Sequence, residues 1–217
     1  MMMAKKAADW LKNESHAAKR RSDNNMGFDP ARHQRRVIRL QGYDYSQAGA
    51  YFVTVCTQNR TPLFGDVVDG DLLLNDAGRM VTAEWLALPA RFPTIELDAF
   101  VVMPNHLHGI IVTTTIPVGA ALVAAPMPSI KTTPSLGSIV GAFKSRATVE
   151  YILGVKTHAW PAFHGRLWQR NYYEHVIRND ESLDRIRQYI YDNPARWAHD
   201  PDNPHTTAPD PVDEWAR

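Results

Sequence analysis

The chain of 217 residues contains a single cysteine, Cys56, and no long apolar run. One cysteine excludes an internal disulfide framework and favours a reducing, cytosolic setting. No stretch approaches the roughly 18 consecutive apolar residues that a membrane-spanning helix needs. The charged N-terminus also lacks the apolar segment of a secretory signal. We therefore expect a cytoplasmic protein with no membrane partner.

The chain also lacks a strong overall charge, since its formal net charge is +1. The charge is unevenly spread, with ten Lys or Arg and four acids in residues 1–39, and five acids and one Arg in residues 198–217. Such ends are typical of nucleic-acid contact and equally of solvated tails. We interpret 1–39 as a basic, partly disordered arm, 40–197 as the folded domain with an insertion loop at 116–134, and 198–217 as an acidic tail.

Hydrophobic periodicity and turn residues predict an alternation of strands and helices. The predicted strands are 50–59, 95–103, 106–115 and 172–178, and the predicted helices are 76–92, 135–153 and 180–193. A short hairpin or an irregular segment is expected over 63–75, and only Pro104 and Asn105 separate the two middle strands. The order β-α-β-β-α-β predicts an α+β, ferredoxin-like antiparallel sheet with helices on one face.

Two histidines interrupt the apolar run MPNHLHGIIV at residues 103–112. Side chains alternate across a strand, so His106 and His108 share one face while Leu107 points to the other. Two neutral imidazoles about 7 Å apart, twice the rise per residue, can bind one divalent metal with a further ligand. Taken alone, the pair favours a solvated sheet face over a metal site.

The last predicted helix offers partners for the histidine pair. Tyr189 and Asn193 are four residues apart and lie side by side on one flank of its apolar stripe. A phenol and an amide therefore share one edge of a helix that must pack on the sheet. Taken alone, a tyrosine at a core margin and an asparagine before Pro194 also fit ordinary structural roles.

Three blocks together resemble a known family. PNHLHGIIV (104–112), LWQRNYYEHVIRN (167–179) and IRQYIYDNP (186–194) are similar to the single-tyrosine HUH transposases, and most of all to the REP-associated tyrosine transposases. The resemblance extends over residues 45–197. It implies the HUH endonuclease fold, a bacterial protein associated with the nucleoid, Tyr189 as nucleophile, and His106, His108 and Asn193 as ligands of Mg²⁺ or Mn²⁺.

The resemblance also implies the reaction. Tyr189 would attack a phosphodiester of single-stranded or hairpin DNA at palindromic repeats, giving a covalent 5′-phosphotyrosine and a free 3′-hydroxyl. A divalent metal would withdraw charge from the phosphate. The phenol has an unperturbed pKa near 10 and needs help to ionise. Glu174 and His175 are candidates for that support, but the sequence favours a structural role, in which His175 orients the site or bonds the start of the helix.

Cations interleaved with aromatics predict a surface for DNA. Such a pattern suits phosphate neutralisation combined with base stacking. The predicted DNA-binding residues are Lys144, Arg146, Arg166, Trp168, Arg170, Tyr172 and Arg178. The basic stretch RHQRRVIR at 32–39 is a further candidate for phosphate contact.

Two other functions fit parts of the same pattern. In a metal-dependent phosphohydrolase, the histidines would activate water and Tyr189 would be structural. In a non-catalytic nucleic-acid-binding module, the ferredoxin-like sheet would bind without cleaving. The sequence leaves open the DNA target, the preferred metal, whether the protein is a monomer or a homodimer, and whether the tyrosine serves its own or a partner's histidines.

Overall fold

The computed structural model describes residues 44–45, 47–114 and 134–207. The predicted basic arm, the insertion loop apart from Pro134, and residues 208–217 of the predicted tail lie outside the described residues. The strands are β1 Gly49–Cys56, β2 Gly65–Val68, β3 Asp71–Leu74, β4 Ile95–Val102, β5 His106–Thr113 and β6 Tyr173–Ile177. The helices are α1 Asp76–Leu86, α2 Leu88–Arg91, α3 Leu136–Thr157 and α4 Asp180–Asp192.

Four of the strands form an antiparallel sheet in the order β4-β5-β1-β6. This is the ferredoxin-like order, and it confirms the α+β class and the β-α-β-β-α-β pattern expected from the sequence. β2 and β3 form a separate two-stranded hairpin over the segment predicted as either a hairpin or irregular. The tight connection through Pro104 and Asn105 is confirmed, and Met103 N–H donates to His106 O across it at 2.8 Å.

The two crossover helices α1 and α3 pack on one face of the sheet, as predicted. Between them and the sheet lies the larger core, in which Val53 and Leu107 of the strands meet Trp85 and Phe143 of the helices. Trp85 and Phe143 contact edge to face with ring centroids 5.2 Å apart. Burial of such large apolar surfaces supplies most of the stability of a fold of this size.

α4 packs on the opposite face of the sheet. Its apolar residues Ile186 and Ile190 bury against Phe52 of β1 and Ile110 of β5. Asn179 caps the helix, since its Oδ1 accepts from Ser182 N–H at 2.8 Å. The side chains of β5 that face α4 are therefore those of His106, His108 and Ile110, because side chains alternate along a strand.

Several element boundaries differ from the predictions: the strand predicted over 50–59 ends at Cys56, and two helices differ. The helix predicted over 76–92 is divided at Ala87 into α1 and α2, because Pro89 lacks the N–H that a continuous helix would need. α3 extends to Thr157, four residues beyond the predicted end. No helix among the described residues is long and apolar enough to span a bilayer.

Candidate active site

His106 and His108 lie side by side beneath α4. Both are buried, with exposed fractions of 0% and 2%, and their ring centroids are 4.4 Å apart. Their neighbours across the sheet are Cys56 and Thr54 of β1. The predicted alternation is confirmed, since Leu107 belongs to the core on the other face. The solvated sheet face considered as an alternative is therefore excluded for this pair.

His108 contacts residues of two other elements through its ring nitrogens. Its Nδ1 is 2.8 Å from the Thr54 hydroxyl, and its Nε2 is 3.3 Å from the Tyr189 hydroxyl. The ring also stacks on Phe52 with centroids 5.4 Å apart. Burial lowers the pKa of His108 well below its usual value, and the neighbouring His106 lowers it further. His108 is therefore a neutral imidazole, the form that can bind a metal.

Tyr189 and Asn193 approach the histidines from α4. Tyr189 is 5% exposed and Asn193 is 1% exposed, and Asn193 directly follows the last residue of the helix. The structure thus brings together all four residues that the resemblance to HUH transposases assigned to the site. The spacing of four residues is what turns the phenol and the amide to the same side.

Asp200 also lies in the site and was not predicted. Its Oδ2 is 3.8 Å from His106 Nε2 and accepts from Asn193 Nδ2 at 3.1 Å. One ligand atom each from His106, His108 and Asp200 lie within 4.8 Å of one another, which makes the three a candidate metal-binding group. Asp200 falls within the predicted acidic tail, because the segment DPDNP (200–204) has no periodicity. The signal available in the sequence was this acidic segment with its prolines, which begins seven residues after Asn193.

The site contains buried polar atoms that a metal would satisfy. His106 Nε2 and Asn193 Oδ1 are buried and make no hydrogen bond within the described residues. A buried polar atom without a partner costs roughly 1–3 kcal/mol, so each one calls for an explanation, and a bound ion is one of them. Two imidazole nitrogens with amide and carboxylate oxygens form a donor set that suits Mn²⁺ and other divalent transition metals.

The segment that follows α4 covers the site. The Trp197 ring lies against His106 with centroids 6.0 Å apart, and the Arg196 guanidinium lies 5.9 Å from the centre of the Tyr189 ring. Asp202 forms an ion pair with Arg60 at 2.8 Å, which ties this segment to the turn after β1. The predicted tail therefore contributes Asp200 to the site and Asp202 to the contacts that hold this segment.

Two predicted DNA-binding residues are already engaged within the protein. Lys144 Nζ donates to the carbonyls of Gln169, Arg170 and Asn171 at 2.7, 3.4 and 3.2 Å. Burial lowers the pKa of Lys144 to about 8, so the ammonium form predominates at neutral pH and binds these carbonyls. Lys144 therefore orders the loop before β6.

Arg146 pairs with two acidic side chains. Its Nη2 lies 3.3 Å from a Glu84 oxygen and 3.2 Å from a Glu150 oxygen. Both carboxylates would compete with a phosphate for this guanidinium, which is half exposed. Its binding of DNA stays a prediction.

The other predicted DNA-binding residues divide between buried aromatics and exposed arginines. Trp168 packs on Phe64 and Phe143 and is 5% exposed, so its indole presents almost no face for base stacking. Arg166 and Arg170 are exposed beside an open groove of about 540 Å³ along α3. Tyr172 is half-buried beneath the ammonium of Lys144, 6.0 Å from the ring centre.

A second groove, of about 470 Å³, lies between β6 and the start of α4. Arg178 and His175 line it, and the pKa of His175 is lowered by burial and by the nearby Arg178 and Arg185. Side chains alternate along β6, so His175 is on the same face as Tyr189 while Glu174 faces the larger core. Glu174 therefore points away from the phenol that it was expected to support.

Comparison with known proteins gives one clear sequence relative. No protein-family model matches the chain. An uncharacterized protein of Haemophilus influenzae is 39% identical over 176 residues, which cover 77% of this chain and 92% of the relative. Among solved structures, a REP-associated tyrosine transposase bound to a REP hairpin matches with a TM-score of 0.46 and 21% identity over 73% of each chain. A Deinococcus radiodurans protein provisionally named a transposase matches with a TM-score of 0.39 and 19% identity, over 70% of this chain and 95% of that one.

Proposed function

The chain belongs to the same family as the Haemophilus influenzae protein, and we propose that it is a transposase, a metal-dependent single-stranded DNA endonuclease and strand transferase. The observation that carries the proposal is the contact between Tyr189 and His108, whose Oη and Nε2 atoms are 3.3 Å apart although 81 residues separate them in sequence. The unsatisfied atoms of His106 and Asn193 lie in the same site. A buried tyrosine with a structural role needs one hydrogen-bond partner, but not the unsatisfied polar atoms that lie beside this one.

His106 Nε2, His108 Nε2 and Asn193 Oδ1 are the atoms that would hold the metal, with Asp200 as a further oxygen donor. A divalent metal bound there supplies positive charge at a non-bridging phosphate oxygen and makes the phosphorus a better electrophile. His108 Nε2 could not ligate a metal and keep its hydrogen bond to the Tyr189 hydroxyl at the same time. A metal held by His108 would therefore leave the Tyr189 oxygen free to face the substrate.

In the proposed reaction the Tyr189 oxygen forms a bond to phosphorus, and the bond from phosphorus to the 3′-oxygen breaks. The phenol gives up one proton and the leaving 3′-oxygen gains one, so the products are a 5′-phosphotyrosine and a free 3′-hydroxyl. The phosphotyrosine is itself a phosphodiester. A 3′-hydroxyl can attack it in the reverse sense, which rejoins DNA without a nucleotide cofactor.

The proposed substrate is single-stranded or hairpin DNA. The exposed Arg166, Arg170 and Arg178 border the two grooves described above, and guanidinium groups suit contact with phosphates. Mutation of such a residue is expected to weaken binding for all sequences alike. Lys144 and Arg146 contribute less, because their charges already serve contacts within the protein.

The decisive experiment incubates the protein with labelled single-stranded hairpin DNA and Mn²⁺, then separates the products under denaturing conditions. We expect a covalent protein–DNA adduct that disappears in Tyr189→Phe. Tyr191→Phe is the matched control, since Tyr191 lies two residues further along α4 and is 67% exposed. This control variant should form the adduct at the wild-type level.

The alternatives predict other outcomes of the same assay. A phosphohydrolase would cleave without an adduct, and Tyr189→Phe would leave its cleavage rate unchanged. A binding module would retain the DNA without cleavage, and the double variant His106→Ala with His108→Ala would bind as well as wild type. Either pattern would overturn the transposase proposal.

A further inference from the structure

Asn105 is a buried polar residue that the proposed chemistry does not use. It lies in the connection between β4 and β5, directly before His106, and its exposed fraction is 0%. Its Nδ2 donates to Arg60 O at 2.9 Å and to Asp202 O at 2.7 Å. The side chain therefore joins the turn after β1 to the segment that covers the site.

These two bonds fix the orientation of the Asn105 amide. Both partners are backbone carbonyls, which only accept hydrogen bonds, so the atom that faces them must be the NH₂ group with its two donors. The remaining atom, Oδ1, then lies 2.8 Å from His106 Nδ1. A flipped amide would bring an oxygen against two carbonyl oxygens and leave the NH₂ group facing the imidazole.

The orientation of the amide in turn fixes the tautomer of His106. Amide oxygen only accepts, so the His106 Nδ1 that contacts it must carry the proton. In a neutral ring the lone pair is then on Nε2, the atom that lies 3.8 Å from Asp200 Oδ2 and has no hydrogen bond within the described residues. No such constraint acts on His108. Its Nδ1 contacts the Thr54 hydroxyl, which can either donate or accept a hydrogen bond, so this contact does not fix the His108 tautomer.

We propose that Asn105 is a positioning residue that holds His106 in the Nδ1–H tautomer, so that Nε2 presents its lone pair to the site. The proposal rests on the proposed function, in which that atom ligates a metal. A hydrogen-bonded partner behind a metal-binding histidine fixes its ring and raises its basicity, and loss of such a partner typically lowers metal affinity about 10–100-fold.

The first test is nitrogen NMR of histidine-labelled protein without metal or DNA, at a pH where the rings are neutral. The ¹⁵N shifts of His106 should report a protonated Nδ1 and an unprotonated Nε2 in wild type. An Nε2–H form of His106 in the folded wild-type protein would overturn the proposal without any variant.

The second test compares two substitutions of Asn105 in the same spectra. Asn105→Ala removes the acceptor, and the His106 signals should become those of a mixture of both tautomers. Asn105→Asp keeps an oxygen facing Nδ1 but loses both donors, so it should retain the Nδ1–H tautomer while lowering the melting temperature. A residue that serves only to support the loops would lower the melting temperature in both variants and leave the His106 signals unchanged.

The third test measures Mn²⁺ binding by calorimetry. Asn105→Ala should bind Mn²⁺ about 10–100-fold more weakly than wild type, and the affinity of Asn105→Asp should lie closer to that of wild type.

Thr54→Val is the matched control for the NMR spectra, since it removes the partner of His108 and should leave the His106 signals unchanged. Unaltered Mn²⁺ affinity in Asn105→Ala would contradict the proposed role.

The two proposals fail separately. The tautomer is read in the absence of DNA, so a protein with the expected His106 signals that never forms a tyrosine adduct would contradict the proposed function alone. An adduct-forming protein whose His106 carries its proton on Nε2 would contradict only the role of Asn105.

Discussion

Gly109 lies between His108 and Ile110, where a side chain would point into the larger core. A Cβ built there would be 2.5 Å from Cζ2 of Trp85, a distance that real contacts do not reach. We predict that Gly109→Ala lowers the free energy of unfolding by about 1–3 kcal/mol, the usual cost of overpacking a core. Urea unfolding followed by tryptophan fluorescence measures the change.

Gly141 in α3 provides the control for that substitution. A Cβ at Gly141 would meet no atom within 4 Å, so Gly141→Ala should stabilise the helix by about 0.5–1 kcal/mol through propensity alone. Equal effects at the two positions would show that backbone entropy, not the Trp85 contact, governs Gly109.

At the residue scale, the sequence predicted those site residues that lie in a strand or a helix, where side chains repeat with a regular period. Alternation along β5 placed His106 and His108 together, and the helical repeat placed Tyr189 beside Asn193. Asp200 has no periodic neighbours, so its position depends on how an irregular segment folds back. The contacts of Lys144 within the protein could not be predicted for a similar reason. The carbonyls that it binds are 25–27 residues away in sequence.

At the element scale α4 is attached to the sheet edge by an ion pair with β4. Arg187 donates to both carboxylate oxygens of Asp98, at 2.9 and 2.6 Å. This bond holds the pKa of Asp98 below its usual value, against the opposing effect of burial, and the Ala99 N–H helps. The pair thus fixes the helix that carries Tyr189 relative to the strands that carry the histidines.

The lowered pKa of Asp98 gives a pH-dependent prediction. Because the folded pKa is below the unfolded value of about 3.9, the stabilisation is present above that value and is lost as the pH falls through the folded pKa. Arg187→Gln should therefore lower the urea midpoint at pH 7, and the difference from wild type should disappear in strong acid. Asp184→Asn, which removes the exposed partner on the same helix, should have a smaller effect at pH 7.

The existence and order of the elements followed from the sequence, whereas several boundaries did not, including two in helices. Pro89 divides a segment whose apolar spacing continues through it. In α3, Gly154 is buried beyond the predicted end at residue 153, while the apolar Val149 inside the predicted helix is 55% exposed. Gly154 packs against the Trp160 ring, a contact that no local sequence pattern predicts. Such boundaries depend on tertiary packing.

At the scale of the whole molecule the sheet separates two environments. One face carries the larger apolar core, and the other carries the buried imidazoles, phenol, amide and carboxylate beneath α4. Both faces are buried, so they differ in the polarity of their side chains and not in their exposure to solvent. This separation explains why the fold could be predicted from apolar periodicity while the site required the polar residues to be read as a set.

Binding of a metal to this site should stabilise the whole fold. At a free Mn²⁺ concentration 100-fold above its Kd, the gain is about 2.7 kcal/mol, provided that the unfolded chain does not bind the ion. For a protein of this size, differential scanning calorimetry should then show a rise in Tm of about 5–10 °C. The rise should be absent in His106→Ala with His108→Ala, and an equal rise in that variant would place the ion elsewhere.

The segment over the site, from Arg196 to Asn203, has a further consequence for affinity. With His106, Tyr189 and Asn193 exposed by 5% or less, DNA bound as proposed would reach the phenol only in conformations where this segment has moved. The apparent Kd for DNA would then be the intrinsic Kd divided by the fraction of open molecules. The hydrogen bonds of Asn105 and the Arg60–Asp202 ion pair, which hold the segment in place, would therefore weaken binding of the proposed substrate without contacting it.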